Sequence, residues 1–326
     1  MIDKIKIIIK DVNVDYLRNN YDWREKKDIH RENVIPSSKQ LYRYNLTHKS
    51  KTFKLRLLLT ENSKTKQSTL SIDGSIRKWY FGKNTRKDLN YNEFIECIEI
   101  IESKIGFKKG EIWLKSNITK LEIGVTLLLK DFTIDILNCF VKYKEAKRDI
   151  SHITTLYFKQ TNYELKFYDK YLEIHKKDKK KLMKYNEVIS KKLLLLRFEI
   201  SIEKVSDPAF KTKYKNLLTL KSNWNQIPTD LHNYLNSIIF LNIYAKEKKI
   251  ELNNITVFKD SGYYQLIINS GIIKAIEIIN NFKNPNNKSK HINELLDIFK
   301  SFTCDEDNYK EKILIELNKK TKRLSI

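Results

Sequence analysis

Leu165-Lys166-Phe167-Tyr168-Asp169-Lys170-Tyr171-Leu172-Glu173 reads as a β-strand with two unlike faces. Side chains alternate along a strand, so Leu165 and Phe167 turn to a core while Lys166, Tyr168 and Lys170 share the polar side. A tyrosine between two cations suits attack on a phosphodiester. The lysines neutralise phosphate oxygens and favour the phenolate over a phenol whose ordinary pKa is about 10. The alternative is a surface strand with solvated lysines, and in a chain holding 18 tyrosines and 63 lysines and arginines the surrounding strands must decide.

Two further segments repeat the pattern. In Lys120 to Leu127 the residues Leu121, Ile123, Val125 and Leu127 share one face, with Glu122, Gly124 and Thr126 on the other. In Leu196 to Glu203 the residues Leu196, Phe198, Ile200 and Ile202 face a core, and Arg197, Glu199, Ser201 and Glu203 face away. If both strands neighbour the Tyr168 strand, two carboxylates and a tyrosine converge on one sheet face. Such oxygen donors suit a hard divalent cation, Mg²⁺ or Mn²⁺, which would bind a scissile phosphate. Taken singly, Glu122 and Glu199 also read as solvent-facing strand residues. A fourth segment, Ser71 to Asn84, holds two of the seven glycines and interleaves Arg77, Lys78 and Lys83 with Trp79, Tyr80 and Phe81. It offers phosphate contacts beside stacking surfaces, or else a strand ending in a hairpin with Trp79 in the core.

Outward from these segments the fold class is α+β. Ile5 to Ile9, Leu41 to Leu46, Thr52 to Leu59 and Ser68 to Tyr80 read as strands, and Asn92 to Ile105 as a helix closed by Gly106. Trp113 to Leu129 reads as strand, Phe132 to Tyr143 as helix, and Ile153 to Phe158 with Tyr163 to Tyr168 as a hairpin. A basic tract from Lys176 to Lys192 precedes a strand over Leu193 to Ile202. Asp207-Pro208 marks a boundary, giving units of 1–205 and 206–326. The second is mostly helical, with helical spacing in Leu231 to Tyr244, Ile272 to Phe282, Ile292 to Phe302 and Tyr309 to Leu317. Ile255 to Ile268 is ambiguous around Asp260-Ser261-Gly262. No internal repeat is legible, though two pseudo-repeated αβ halves would escape a single sequence.

A length of 326 residues with 41 % hydrophobic content supports real cores. The net charge of +23 favours nucleic acid or an anionic surface as partner. No apolar run approaches the roughly 18 to 20 residues of a membrane span, and no signal peptide precedes Met1-Ile2-Asp3-Lys4, so nucleic acid is favoured over membrane. Cys97, Cys139 and Cys304 lack metal-ligand spacing and an even count, which fits a reducing cytoplasm. A basic DNA-binding or packaging protein without enzymatic activity would use the same charge. A tyrosine recombinase would need an Arg, His and Arg framework in a helical catalytic domain, and the strand placement of Tyr168 argues against it.

Taken in order, the segments resemble the replication initiators of filamentous phages, the gene II type endonucleases, and more distantly the Rep_trans proteins of rolling-circle plasmids. The likeness runs over Gly74-Ser75 through Lys78 to Gly82 and Asn84, then Ile118 to Ile123, Thr155 to Phe158, Leu165 to Glu173 and Leu196 to Glu199. It implies an antiparallel-sheet Rep-type nuclease core in 1–205 that nicks one strand of an origin. Tyr168 would be the nucleophile, left as a 5′-phosphotyrosine beside a free 3′-hydroxyl, and the displaced strand would later be rejoined. Glu122 and Glu199 would hold Mg²⁺ or Mn²⁺, although the related pattern usually has Asp where Glu122 stands. The resemblance further implies that Lys170 neutralises or protonates the leaving oxygen and that Glu173 orients it or joins the metal shell. Tyr171 would be a second nucleophile or a packing aromatic. Arg77, Lys78, Lys83, Lys166, Lys176, Lys177, Lys179, Lys180 and Lys181 are the expected DNA contacts. Partners would be double- and single-stranded origin DNA, a host helicase and polymerase, and further copies of the chain on DNA, with 206–326 serving DNA binding or self-association. The His-x-His metal pair of the larger relaxase group is absent from the six histidines.

Overall fold

The computed structural model describes residues 1–25, 39–62, 64–151, 154–175, 192–283, 286–304 and 307–325. Period-two burial builds its centre. In β1 (Ile2–Lys10) the residues Ile5, Ile7 and Ile9 are buried while Lys4 and Lys10 face solvent. The same alternation runs through β4 (Lys54–Asn62), β5 (Ser68–Ser75) and most of β6 (Ser116–Lys130), and β2 (Arg24–Glu25) and β3 (Lys39–Thr47) extend the sheet outward from β4. After β7 (Phe140–Lys142) come β8 (Lys147–Ser151), β9 (Thr155–Lys159), β10 (Tyr163–Asp169) and β11 (Leu193–Ile202). Ten of these described strands form one sheet in the order β2-β3-β4-β5-β1-β6-β11-β10-β9-β8. Every neighbouring pair is antiparallel. With the helices that follow, the fold is α+β, as the patterning indicates.

The strands expected around the tyrosine are neighbours. β10 pairs with β9 as a hairpin and with β11, and β11 pairs with β6. β11 has the bounds that its run of leucines and alternating apolar residues indicates. The middle of the sheet is sealed by aromatic packing, including Phe167 stacked on Phe198 with ring centroids 4.7 Å apart.

Several expected elements differ, each for a local reason. Ser68 to Tyr80 is not one strand. Ser75 accepts the N–H of Lys78 and starts a helix over Ile76–Phe81, whose buried Ile76, Trp79 and Tyr80 follow helical spacing. Gly82 closes that helix at φ +67°, and a Cβ there would lie 2.6 Å from Lys49 Cβ. Leu165 to Glu173 likewise divides. The Asp169 carboxylate accepts the N–H groups of Tyr171 (2.7 Å) and Leu172 (3.3 Å), turning the chain into a helix over Lys170–His175. Each half of the sheet thus has an antiparallel strand running into a short, side-chain-capped helix.

Asn90 and Glu93 form a capping box that starts the helix Tyr91–Lys104, close to its expected bounds. Trp113 to Lys115 belongs to a short helix, Glu111–Lys115, and β6 begins at Ser116. Phe132 to Tyr143 is not a helix. Ile134–Cys139 is a 3₁₀ turn and Phe140–Lys142 pairs with Ile239–Phe240, so the apolar residues there serve a strand pair. That pairing also ends the helix Ile227–Asn236 well before Tyr244. Asp260-Ser261-Gly262 lies inside the helix Ile255–Ser270.

Among the described residues the buried hydrophobic side chains form two clusters. The larger spans both halves of the sheet and takes in Ile313, Leu317 and Leu324 of the last helix, Tyr309–Leu324, which packs on β6. The smaller joins the helices Ile255–Ser270, Ile272–Asn280 and Lys288–Phe302 through Tyr264, Ile276, Ile279, Leu296 and Phe299. No described helix is long and apolar enough to cross a membrane. Lys176, Lys177, Lys179, Lys180 and Lys181 lie outside the described residues.

Candidate active site

Strand alternation and register bring the expected residues together. Lys166 stands opposite Glu199 across β10 and β11, Tyr168 opposite Arg197, and Ser201 of β11 opposite Glu122 of β6. Tyr168, Glu122 and Glu199 therefore share one face and one cavity of about 710 Å³, lined also by Asp3, Ser75, Lys78, Tyr157, Lys166 and Glu173. The Tyr168 hydroxyl donates to Glu199 Oε1 at 2.9 Å. Gly124 lies opposite Glu199. A Cβ there would sit 2.7 Å from Glu199 Cγ, so the glycine leaves room for that carboxylate.

A third carboxylate belongs to the site. Asp3, Glu122 and Glu199 each present an oxygen, and these atoms all lie within 4.8 Å of one another. The pairing of β1 with β6 is irregular between Ile2 and Lys4, where Asp3 falls. Glu199 Oε2 is buried without a hydrogen-bond partner, with Lys166 Nζ 3.5 Å away as an ion pair. Three hard oxygen donors and one buried oxygen lacking a hydrogen-bond donor fit a divalent cation such as Mg²⁺ or Mn²⁺.

Behind the carboxylates lies Arg197, fully buried. Its Nε donates to Glu199 Oε1 and its Nη2 to Asp3 Oδ2, each at 2.8 Å, and Nη1 pairs with Asp88. Asp88 also accepts the Thr126 N–H at 3.0 Å and faces Lys320 Nζ of the last helix at 3.2 Å. Arg77, expected as a DNA contact, is instead buried and donates to Asp3 Oδ2 at 2.9 Å. Burial opposes ionisation of Asp3, but Arg77 and Arg197 outweigh it and hold the carboxyl well below its usual range. Asp88 is likewise held low against burial by Arg197 and Lys320.

The flanking lysines do not act as the strand reading suggests. Lys166 and Lys170 place their Nζ atoms 4.7 and 5.6 Å from the centre of the Tyr168 ring. Burial first, and then Glu199, push the Tyr168 pKa up, so the phenol keeps its proton until something accepts it. Lys170 heads the short helix rather than ending the strand. It is fully buried, donates to Glu173 at 2.8 Å and reaches Asn84 at 3.4 Å. Burial, with Arg77 and Arg197 nearby, lowers its pKa to about 8. Glu173 also accepts from Lys78 (3.0 Å) and Asn84 (2.9 Å); against burial, Lys170 and these hydrogen bonds lower its pKa to about 2.

Of the remaining expected contacts, Lys83 is exposed and Lys166 is partly so. Trp79 and Tyr80 are buried and offer no stacking surface, their polar atoms engaged by Leu46 O and Glu96. Tyr171 is half-buried, its ring 4.5 Å from that of His175. Sequence patterning singles out neither Asp3, Asp88 and Lys320 nor the inward role of Arg197. The one signal it holds is an aspartate inside an isoleucine-rich strand, a residue type that strands avoid.

The carboxylate cluster makes stability depend on pH. Burial first, then Glu199 and Asp3, push the Glu122 pKa up to about 8. Unfolded, that group titrates near about 4.3. Between the two values the folded protein binds more protons, so the sign is a stability that falls as pH rises, at most about 1.4 kcal/mol per pH unit for one group. The buried Met1 amine, its pKa lowered by burial to about 5, acts with the opposite sign over the same range, so the expected result is a melting temperature that falls from pH 5 to pH 8 in the wild type relative to Glu122→Gln. Added Mn²⁺ competes with the proton and should raise the melting temperature more at pH 8 than at pH 6. Parallel profiles for the two proteins would assign the effect elsewhere.

Residues 1–227 match the family model for the N-terminal part of the gene II replication-associated protein of phages. The chain has no match among the curated proteins and none among the solved structures.

Proposed function

This chain belongs to the phage gene II family of replication-associated proteins, and from that membership we propose that it starts rolling-circle replication by nicking one strand of a phage or plasmid origin. The observation that carries the reading is the Tyr168 hydroxyl, 2.9 Å from Glu199 on the wall of a cavity where three carboxylates converge. A protein that only binds or packages DNA has no use for that convergence.

Tyr168 Oη attacks the scissile phosphorus, and the bond from phosphorus to the 3′-oxygen breaks. One DNA end becomes a 5′-phosphotyrosine and the other a free 3′-hydroxyl for a host polymerase and helicase to use. Glu199 holds the phenol hydrogen bond and is the group toward which the proton leaves. Lys170, buried behind the cavity wall with its ammonium held by Glu173 and 5.6 Å from the centre of the Tyr168 ring, acts through its charge, which opposes the negative charge that develops as the phosphodiester is exchanged. Asp3, Glu122 and Glu199 would hold Mg²⁺ or Mn²⁺, and the cation would neutralise charge developing on the phosphate. The linkage keeps the bond energy, so rejoining the displaced strand reverses the same steps. Tyr171, three positions along, is the candidate second nucleophile for that closure, with a packing aromatic as its other role. Lys78, Lys83 and Lys166 contact flanking phosphates, and the unit 206–326 adds DNA binding or self-association. The setting is the cytoplasm of a bacterial host.

The test is supercoiled DNA carrying the native origin, incubated with the protein and Mg²⁺ or Mn²⁺. Nicked circles with protein attached under denaturing conditions are expected. Binding without any covalent product would favour the packaging reading. Asp3→Asn, Glu122→Ala and Glu199→Ala are each expected to slow cleavage and to raise the Mn²⁺ concentration needed for half-maximal rate. A variant that cuts normally throughout the titration removes its residue from the metal site.

A further inference from the structure

Resting on the nicking reading, we propose that the uncovered face of the first half of the sheet is the track along which the origin DNA backbone reaches the cavity. On β1 the residues Lys4, Lys6, Ile8 and Lys10 lie opposite the buried Ile5, Ile7 and Ile9. Cross-strand register extends this face sideways. Lys6 stands between Lys120 of β6 and Asp73 of β5, Asp73 faces Arg56 of β4, and Arg56 faces Asn45 of β3. Strands are about 4.8 Å apart, so the row from Lys120 to Arg56 spans about 14 Å.

The next row, one strand repeat of about 7 Å away, is Glu122, Lys4 and Ser75, all three of which line the cavity. The basic row is therefore continuous with the carboxylate site. On the far side lies a third row of Ile8, Ser71, Leu58 and Arg43.

Charge identifies the occupant. Among the described residues on these rows the acid outside the cavity is Asp73, paired with Arg56 at 2.7 Å, and Glu203, just past the end of β11, pairs with Lys120. Lys4, Lys6 and Arg43 add positive charge beyond those pairs. Arg56 and Lys120 keep 64 % and 47 % of their side chains exposed, so no part of the described chain covers the row. The side chain between Lys6 and Arg56 is the short Asp73, and Asn45 beyond Arg56 and Ser71 in the third row are short as well, which leaves a shallow surface that an extended anionic backbone fits. A solvated sheet face is the ordinary alternative, since antiparallel sheets commonly present one face to water.

The test uses the full chain without metal, so that binding is read apart from cleavage. Labelled origin DNA is titrated at several salt concentrations against wild type and the triple variant Lys6→Gln, Arg56→Gln, Lys120→Gln. Three lost phosphate contacts should flatten the slope of log K on log salt by about 2 to 2.7 and weaken low-salt binding at least about tenfold. Lys108→Gln with Lys109→Gln, on the loop after the helix Tyr91–Lys104, should leave the slope unchanged. A photocrosslinking benzophenone residue at Leu58 should capture the DNA, and one at the exposed Leu114 should not. An unchanged slope in the triple variant, or capture at Leu114 and not at Leu58, overturns the track. Nicking is scored in parallel with Mn²⁺. Wild type that binds through these rows yet forms no covalent product overturns the nicking reading and keeps the track, whereas cleavage with wild-type binding by the triple variant does the reverse.

Discussion

Tyr168→Phe is expected to bind origin DNA within about twofold of wild type and to lose nicking by a factor on the order of 10⁴ or more, the size of effect seen when a nucleophile is deleted from a working site. The substitution removes one oxygen and keeps the ring that Lys166 and Lys170 flank. It also frees Glu199 Oε1 from one of its two donors while Arg197 Nε remains at 2.8 Å, so the carboxylate stays oriented. Origin-binding isotherms together with a denaturing gel check both halves. Cleavage near the wild-type rate would move the nucleophile elsewhere, Tyr171 being the next candidate.

The second large effect is expected from Arg197→Met. Arg197 is fully buried and paired with Asp3, Asp88 and Glu199 at once. Methionine fills comparable space but leaves three buried carboxylates short of their cation, and breaking a buried pair from one side costs about 3 to 5 kcal/mol. Denaturant melts should show that loss without metal, and Mn²⁺ should recover part of it by supplying positive charge to Asp3 and Glu199. Arg197→Lys should fall between, since an ammonium cannot direct donors to three partners in fixed geometry as a guanidinium does. A loss under about 1 kcal/mol, the scale of an exposed ion pair, would mean that the carboxylates are compensated by other groups.

Half of the site is legible in the sequence, for a physical reason. Glu122, Tyr168 and Glu199 lie on strands whose other face is continuously apolar, so alternation alone tells which way each points, and antiparallel neighbours preserve that parity across the sheet. Asp3 is not legible because it sits at an irregularity in the pairing of β1 with β6, which carries no mark in a single strand's pattern. Arg77 and Arg197 look like surface cations because burial of a charged group is set by what surrounds it in three dimensions. Asp88 and Lys320 enter from a loop and from the last helix, far along the chain from the residues they support. The division of Leu165 to Glu173 is hidden for a different reason. Lys-Tyr-Leu-Glu suits a strand as well as a helical turn, and the choice rests on the Asp169 carboxylate capping two N–H groups.

β1 lies between β5 and β6 near the middle of the sheet, although it is the first strand in the chain. Its aspartate meets a glutamate 119 residues later and an arginine 194 residues later. Such distant pairings give a high contact order and slow folding relative to helical domains. During synthesis the ribosome must release residues beyond Glu199 before the three carboxylates can assemble, and Lys320 emerges later still. On the nicking reading, a nascent chain therefore carries Tyr168 for some time before the carboxylates beside it are in place, and competence to cut is acquired only after most of the chain has been made.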